Sequence, residues 1–194
     1  MASKLHSSTF SISENSNLYI LLRDACINDS VDILKFLIHL GIDVNKQIMF
    51  SGGAFIPGGL WLPLQYCILE NRYKAIPLLL QSGADPNLRG STSMSPLHWA
   101  ARDGQEQIVV QLLEAGVDVD ARNDSGMTAL HLAAENNFPS IIKLLLMAGA
   151  STAIHNNENS TALDIAARKT HVEARDLILE NIGGHRGELS KTIC

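Results

Sequence analysis

The sequence predicts an all-α fold, a solenoid of stacked helix–turn–helix units with projecting turns or hairpins. Two observations carry that prediction. Gly83, Gly116 and Gly149 stand 33 residues apart. Three segments recur on the same step: SPLHWAARDGQEQIVVQLLEAGVD from Ser95, TALHLAAENNFPSIIKLLLMAGAS from Thr128 and TALDIAARKTHVEARDLILENIGG from Thr161. A fixed period of this length on two short apolar helices marks a repeat array. Such a stack displays a long concave surface and seldom encloses a catalytic pocket, so binding is the first functional class to weigh.

Extending the register gives five units, near residues 16–45, 46–87, 88–120, 121–153 and 154–182. Residues 1–15 form a serine-rich lead and 183–194 a tail, both expected to be flexible. The first unit reads ILLRDACINDSVDILKFLIHLGID and ends its second helix at Gly41. The second, LPLQYCILENRYKAIPLLLQSGAD, places Pro63-Leu64-Gln65 33 residues before Pro96-Leu97-His98. Ser95, Thr128 and Thr161 open first helices as N-caps, because a hydroxyl can accept from the unpaired amides of the first turn. Pro96 suits the first helical position, where its missing N–H is no loss. The pairs Ala100-Ala101, Ala133-Ala134 and Ala166-Ala167 put small side chains where helices meet closely. Second helices carry Ile108, Val109, Leu112 and Leu113, then Ile141, Ile142, Leu145 and Leu146, at helical spacing. The glycines that follow can take the left-handed conformation that ends a helix, and the Asp/Asn-rich stretches beyond them read as turns.

These residues resemble the ankyrin-repeat family, whose hallmark is a T-P-L-H-x-A-A segment followed by a leucine-rich helix and G-A-D. Here it stands as Ser95-Pro96-Leu97-His98-Trp99-Ala100-Ala101 and Thr128-Ala129-Leu130-His131-Leu132-Ala133-Ala134, with Leu79-Leu80-Gln81-Ser82-Gly83-Ala84-Asp85 supplying the second half. The likeness covers residues 16–182. It implies that turn tips and first helices form the binding surface. Carried onto this chain, the recognition positions include Arg89, Thr92, Met94, Arg102 and Asp103 in the third unit, then Arg122, Asp124, Met127, Glu135 and Asn136 in the fourth. Arg168 and Lys169 follow in the fifth. It also implies that His98 and His131 bond locally to the turns and tie neighbouring repeats. Arg23, Gln65 and Asp164 stand at that position in units one, two and five. The last outer helix carries Glu173, Arg175, Asp176 and Glu180. Units one and five read as caps, which need a polar outer face, and the stack is expected to be complete.

The period fails once. Gly41 to Gly83 is 42 residues, nine more than the repeat, and the excess lies in KQIMFSGGAFIPGGLW, residues 46–61. A lengthened hairpin is expected, with QIMF and AFI as strands joined at Ser51-Gly52-Gly53. Met49, Phe50, Phe55, Ile56 and Trp61 are candidate partner contacts there, since aromatic anchors dominate interfaces. The alternative is that this loop covers the first units, and Trp61 is the residue best placed to pack on its own repeat.

A formal net charge of −5 with 18% charged residues lacks the basic stripe of a nucleic-acid binder. No apolar run approaches the roughly 18 residues that cross a bilayer, and the N-terminus has no secretory h-region. Cys26 and Cys67 fall at small-residue helix positions and read as buried thiols. His98 and His131 lack the i, i+4 spacing of a helical zinc motif, and no phosphate loop, CxxC, HExxH or G-x-S-x-G is present. The expectation is a non-enzymatic interaction module, an adaptor or an inhibitor that occludes its partner. It engages a protein through the concave face, the repeat turns and the inserted loop. No catalytic residues, metal, cofactor, nucleic acid, membrane insertion or small-molecule substrate are expected. Arg89, Arg102, Arg122, Arg168 and Lys169 along one side would favour an acidic partner segment. A cytoplasmic setting fits. The alternative is a bacterial effector that binds a host protein in the host cytosol; an enzyme is the remote one.

Overall fold

The computed structural model describes residues 12–52, 58–90 and 93–189. Phe55, Ile56 and Thr92 lie outside them. The chain divides into two compact units, residues 1–82 and 83–194.

In the first unit, α1 (Ile12–Ile27) and α2 (Val31–His39) form the first helix pair. Strands β1 (Ile48–Phe50) and β2 (Gly59–Trp61) come next, then α3 (Pro63–Leu69) and α4 (Ala75–Gln81). Like helices pack together, α1 on α3 and α2 on α4. Asp29 sits at φ 51° in the turn after α1, and its Oδ1 accepts from the Ala75 amide at 2.8 Å, capping the start of α4. The core holds Leu22, Leu34, Leu37, Tyr66, Ile76 and Leu79, with Cys26 and Cys67 as buried free thiols. Burial pushes the Cys67 thiol well up from its ordinary value.

Two expectations change here. The first strand forms where QIMF predicts it, but its partner is Gly59–Trp61, in the antiparallel register Ile48 to Trp61, Met49 to Leu60 and Phe50 to Gly59. The AFI segment, residues 54–56, lies outside the described residues. The outer helix of the first repeat is also not a polar cap, because Ile33, Phe36 and Leu40 stand 37%, 56% and 52% exposed.

The second unit holds three repeats: α5 (Pro96–Arg102) with α6 (Glu106–Glu114), α7 (Ala129–Glu135) with α8 (Pro139–Met147), and α9 (Ala162–Arg168) with α10 (Val172–Leu189). The last helix runs beyond Ile182, into the stretch expected to be a flexible tail. α7 packs between α5 and α9, with Ala100, Ala101, Ala133, Ala134 and Ala166 fully buried at the contacts. Small side chains are what such close approach requires. Ile108, Leu112, Ile141, Leu145 and Ile178 fill the space beneath. Gly116 ends α6 at φ +77°, and a Cβ there would meet nothing within 4 Å. Backbone conformation alone therefore calls for glycine at that position. Among the described residues no helix is long and apolar enough to cross a membrane.

Candidate functional site

The motif histidines are structural, and the geometry fixes their protonation. Ser95 N–H donates to His98 Nδ1 at 3.1 Å, so Nδ1 carries no proton and Nε2 must. Nε2–H then donates to the Met127 carbonyl at 2.9 Å, in the turn that opens the next repeat. His131 repeats the arrangement: Thr128 N–H donates to Nδ1 at 3.1 Å, and Nε2 meets the Ser160 carbonyl at 3.2 Å. Both rings are 1% exposed. Burial holds both imidazoles below their ordinary value, against the pull of the carbonyls they bond. A buried neutral imidazole with both nitrogens occupied offers nothing to a substrate. Asp164 keeps the capping half of this device, accepting from Thr161 N–H at 2.9 Å, while Asp164 N–H donates to Thr161 Oγ1 at 3.2 Å. Donation from Thr161 N–H and, at 2.7 Å, from the Thr161 hydroxyl holds its carboxyl below the usual value. A carboxylate has no donor with which to reach forward.

The turns are tied across the same repeat boundaries. Asn87 Oδ1 accepts from the Asp118 amide and Asp120 Oδ1 from the Ser151 amide, each one repeat on. Arg122 donates to the Gly126 and His155 carbonyls, and Asn157 Nδ2 donates to the Asp124 carbonyl. Gly126 stands at φ +73°, where a Cβ would lie 2.5 Å from Asn157 Oδ1 and 2.7 Å from Arg122 Nη2. The left-handed backbone there favours glycine, and a side chain would have to displace the ends of Asn157 and Arg122.

This network changes the reading of the cationic row. Arg122 serves the turns. Arg102 Nε lies 2.6 Å from Asp103 Oδ1 and its guanidinium sits 4.3 Å over the Trp99 ring. Lys169 pairs with Glu135 and Arg168 with Glu158, each at 3.7 Å. Arg102, Glu135 and Arg168 end successive first helices, so the row alternates in sign and is compensated within the unit. It is not the uniform positive edge that would draw an acidic segment. Asn136 donates to the Leu132 carbonyl at the end of its own helix. Met127 and Met94 are half-buried, as is Arg89, whereas Asp124 is exposed.

The inserted hairpin divides by face. Ile48 and Phe50 point inward, and Phe50, 1% exposed, stacks on Tyr66 with ring centroids 3.9 Å apart and an interplanar angle of 12°. Phe50 is therefore core rather than the contact residue expected. Trp61 is half-buried, as its place beside the repeat suggests. Met49 and Leu60, paired across the strands, are 60% and 50% exposed. Leu60 was not among the sequence candidates; the period of two that makes Met49 face outward would have found it once the strand partner was known. Between α1 and β1 lies an open cleft of about 340 Å³ lined by Tyr19, Ile20, Arg23, Lys46 and Met49. Lys46 Nζ sits 4.2 Å above the Tyr19 ring, and Arg23 pairs with Asp24 at 2.8 Å. Among the described residues no cluster of three or more His, Cys, Asp or Glu side chains is placed to hold a metal.

Comparison with known proteins agrees with this geometry. The family described as ankyrin repeats, in three copies, matches residues 64–156 and 97–187. The human protein named 2-5A-dependent ribonuclease is 34% identical over 84 residues, 43% of this chain. The match spans 10% of that protein's length and falls in the repeat region, so the nuclease activity in its name stays with it. Ankyrin repeats generally mediate protein–protein interaction, and their fold is typically non-catalytic. The chain belongs to the ankyrin-repeat family.

Proposed function

We propose that this chain is a non-enzymatic adaptor, or an inhibitor that occludes its partner's surface. It binds one protein partner through the inserted hairpin and the turn and first-helix surfaces of its repeats. The observation that carries the reading is the outer face of the hairpin. Met49 and Leu60 lie opposite one another with half or more of their surface in water, on strands whose inner face is anchored by buried Ile48 and Phe50. A rigid scaffold holding adjacent apolar side chains in solvent is what a desolvated interface centre needs. The alternative in which the loop only covers the first units accounts for Phe50 and leaves Met49 and Leu60 unexplained.

The test is affinity capture from the native source with the full chain and with a Met49→Asp, Leu60→Asp variant. Both sites are exposed, so far-UV circular dichroism and the melting curve should not change. The expected result is a captured protein that the variant loses. Equal capture by both forms would remove the hairpin from the interface.

A further inference from the structure

The cleft between α1 and the hairpin carries an inference about the chemistry of the partner, and it rests on the interaction reading above. Each of its two walls carries an apolar and a cationic side chain. Ile20, 47% exposed, and Met49, 60% exposed, offer apolar surface, while Lys46 and Arg23 bring positive charge. Arg23 is matched by its neighbour Asp24. Lys46 has no place among the ion pairs of the described residues, whose cations are Arg23, Arg72, Arg102, Arg168, Lys169 and Arg175. Its ammonium lies on the Tyr19 ring instead. In a chain of net charge −5 this is a local cation beside exposed apolar side chains. Arg102, Arg122, Arg168 and Lys169 have acids or backbone carbonyls of their own.

We infer that this cleft takes an extended segment of a partner protein in which a carboxylate side chain stands next to a bulky apolar one. The apolar group would lie between Ile20 and Met49, and the carboxylate would meet Lys46. A volume of about 340 Å³ suits one or two such side chains rather than a helix. The wall formed by residues 46–49 favours an extended occupant. Among the described residues β1 has one strand neighbour in its sheet, so a peptide can add along its second edge through main-chain hydrogen bonds. Cation and ring fix the carboxylate position; the flanking aliphatic groups fix the residue beside it.

The experiment pans a phage-displayed library of random peptides on the full chain, then measures synthetic versions of the selected sequences by fluorescence polarisation. Selected peptides should join Asp or Glu to Leu, Ile or Phe. Lys46→Glu and Ile20→Glu should each weaken them about tenfold or more, and a peptide with Lys in place of its acidic residue should recover binding to the Lys46→Glu form. Lys46 is exposed, so its variant decides the matter even where Ile20→Glu lowers stability. Selection of basic peptides, no enrichment at all, or unchanged affinity for the Lys46→Glu form would overturn the inference. So would self-association in sedimentation that Ile20→Glu abolishes, which would put a second copy of the chain in the cleft. Peptides lost on Met127→Glu or Arg168→Glu, and kept on Lys46→Glu, would overturn the cleft while leaving the interaction reading intact.

Discussion

The two units use the same repeat and spend their side chains differently. In residues 83–194 the polar side chains of turns and caps are turned on the protein itself: His98, His131, Asn87, Asp120 and Arg122 each bond backbone in the following repeat, and Asn157 bonds backbone in the preceding one. In residues 1–82 the period is broken by the hairpin, Gln65 and Arg23 stand where those histidines would be, and Ile20, Phe36, Leu40, Met49 and Leu60 reach solvent. Both units leave large apolar side chains in water, Met147, Val172 and Leu179 among them in the second; what sets the first apart is that Met49 and Leu60 stand opposite one another on the hairpin that interrupts the period. Apolar groups left in water favour association, whereas groups already bonded to their own backbone gain little from a partner.

The sharpest way to test that contrast is within the hairpin. Phe50→Ala removes a fully buried ring stacked on Tyr66 and should cost about 3–5 kcal/mol in urea denaturation. Met49→Ala, next in sequence and on the other face, should stay within about 0.5 kcal/mol. Equal effects would mean that the strand does not have an inner and an outer side.

In the second unit the largest effect should come from the histidines. His131→Ala leaves Thr128 N–H and the Ser160 carbonyl without their partner and should cost about 1–3 kcal/mol. His131→Asn keeps an acceptor for Thr128 but cannot reach Ser160, so its loss should be smaller. The same residues set a pH dependence. Their folded values lie below the ordinary 6.5, so the unfolded chain takes up protons first as pH falls. Their contribution is complete above about pH 6.5 and is lost as pH drops towards the folded values. Urea midpoints at pH 7.5 and pH 5 should converge in a His98→Gln, His131→Gln variant relative to wild type; an unchanged difference would count against buried neutral imidazoles. The smallest effect belongs to the compensated row. Glu135→Gln breaks an exposed pair with Lys169 and should shift stability by no more than about 0.5 kcal/mol, less in high salt.

Much of this was readable before the structure. The helices, the caps at Ser95, Thr128 and Thr161 and the glycine stops follow from signals that repeat at one spacing, and the role of His98 and His131 is what the ankyrin resemblance implies. What the sequence hid depends on contacts between distant residues. AFI and GLW are both short apolar pieces beside glycines, and local pattern does not choose between them; the register comes with Phe50 seated on Tyr66, sixteen positions away along the chain. Phe50 looked like an anchor because a phenylalanine in a glycine-rich loop has no visible neighbour. The arginines looked like one positive edge because pairing of Lys169 with Glu135 spans two repeats. Apart from Arg102, whose partner Asp103 is its neighbour in sequence, these errors are long-range pairings that a linear reading treats as open.

The forward reach of the imidazoles has a practical side. His131 holds its Nε2 proton against a carbonyl supplied wholly by the next repeat, while its Nδ1 partner lies within its own. The ring is therefore a built-in spectroscopic gauge of its successor. If the fifth repeat opens while the fourth stays folded, the Nε2 side meets water, the Nδ1 side does not, and the nitrogen shifts of His131 change ahead of any loss of its own helix. Asp164 makes no such bond; in the fifth repeat His171 instead meets the Ala134 carbonyl of the fourth at 3.0 Å, so the same boundary is gauged from its other side as well.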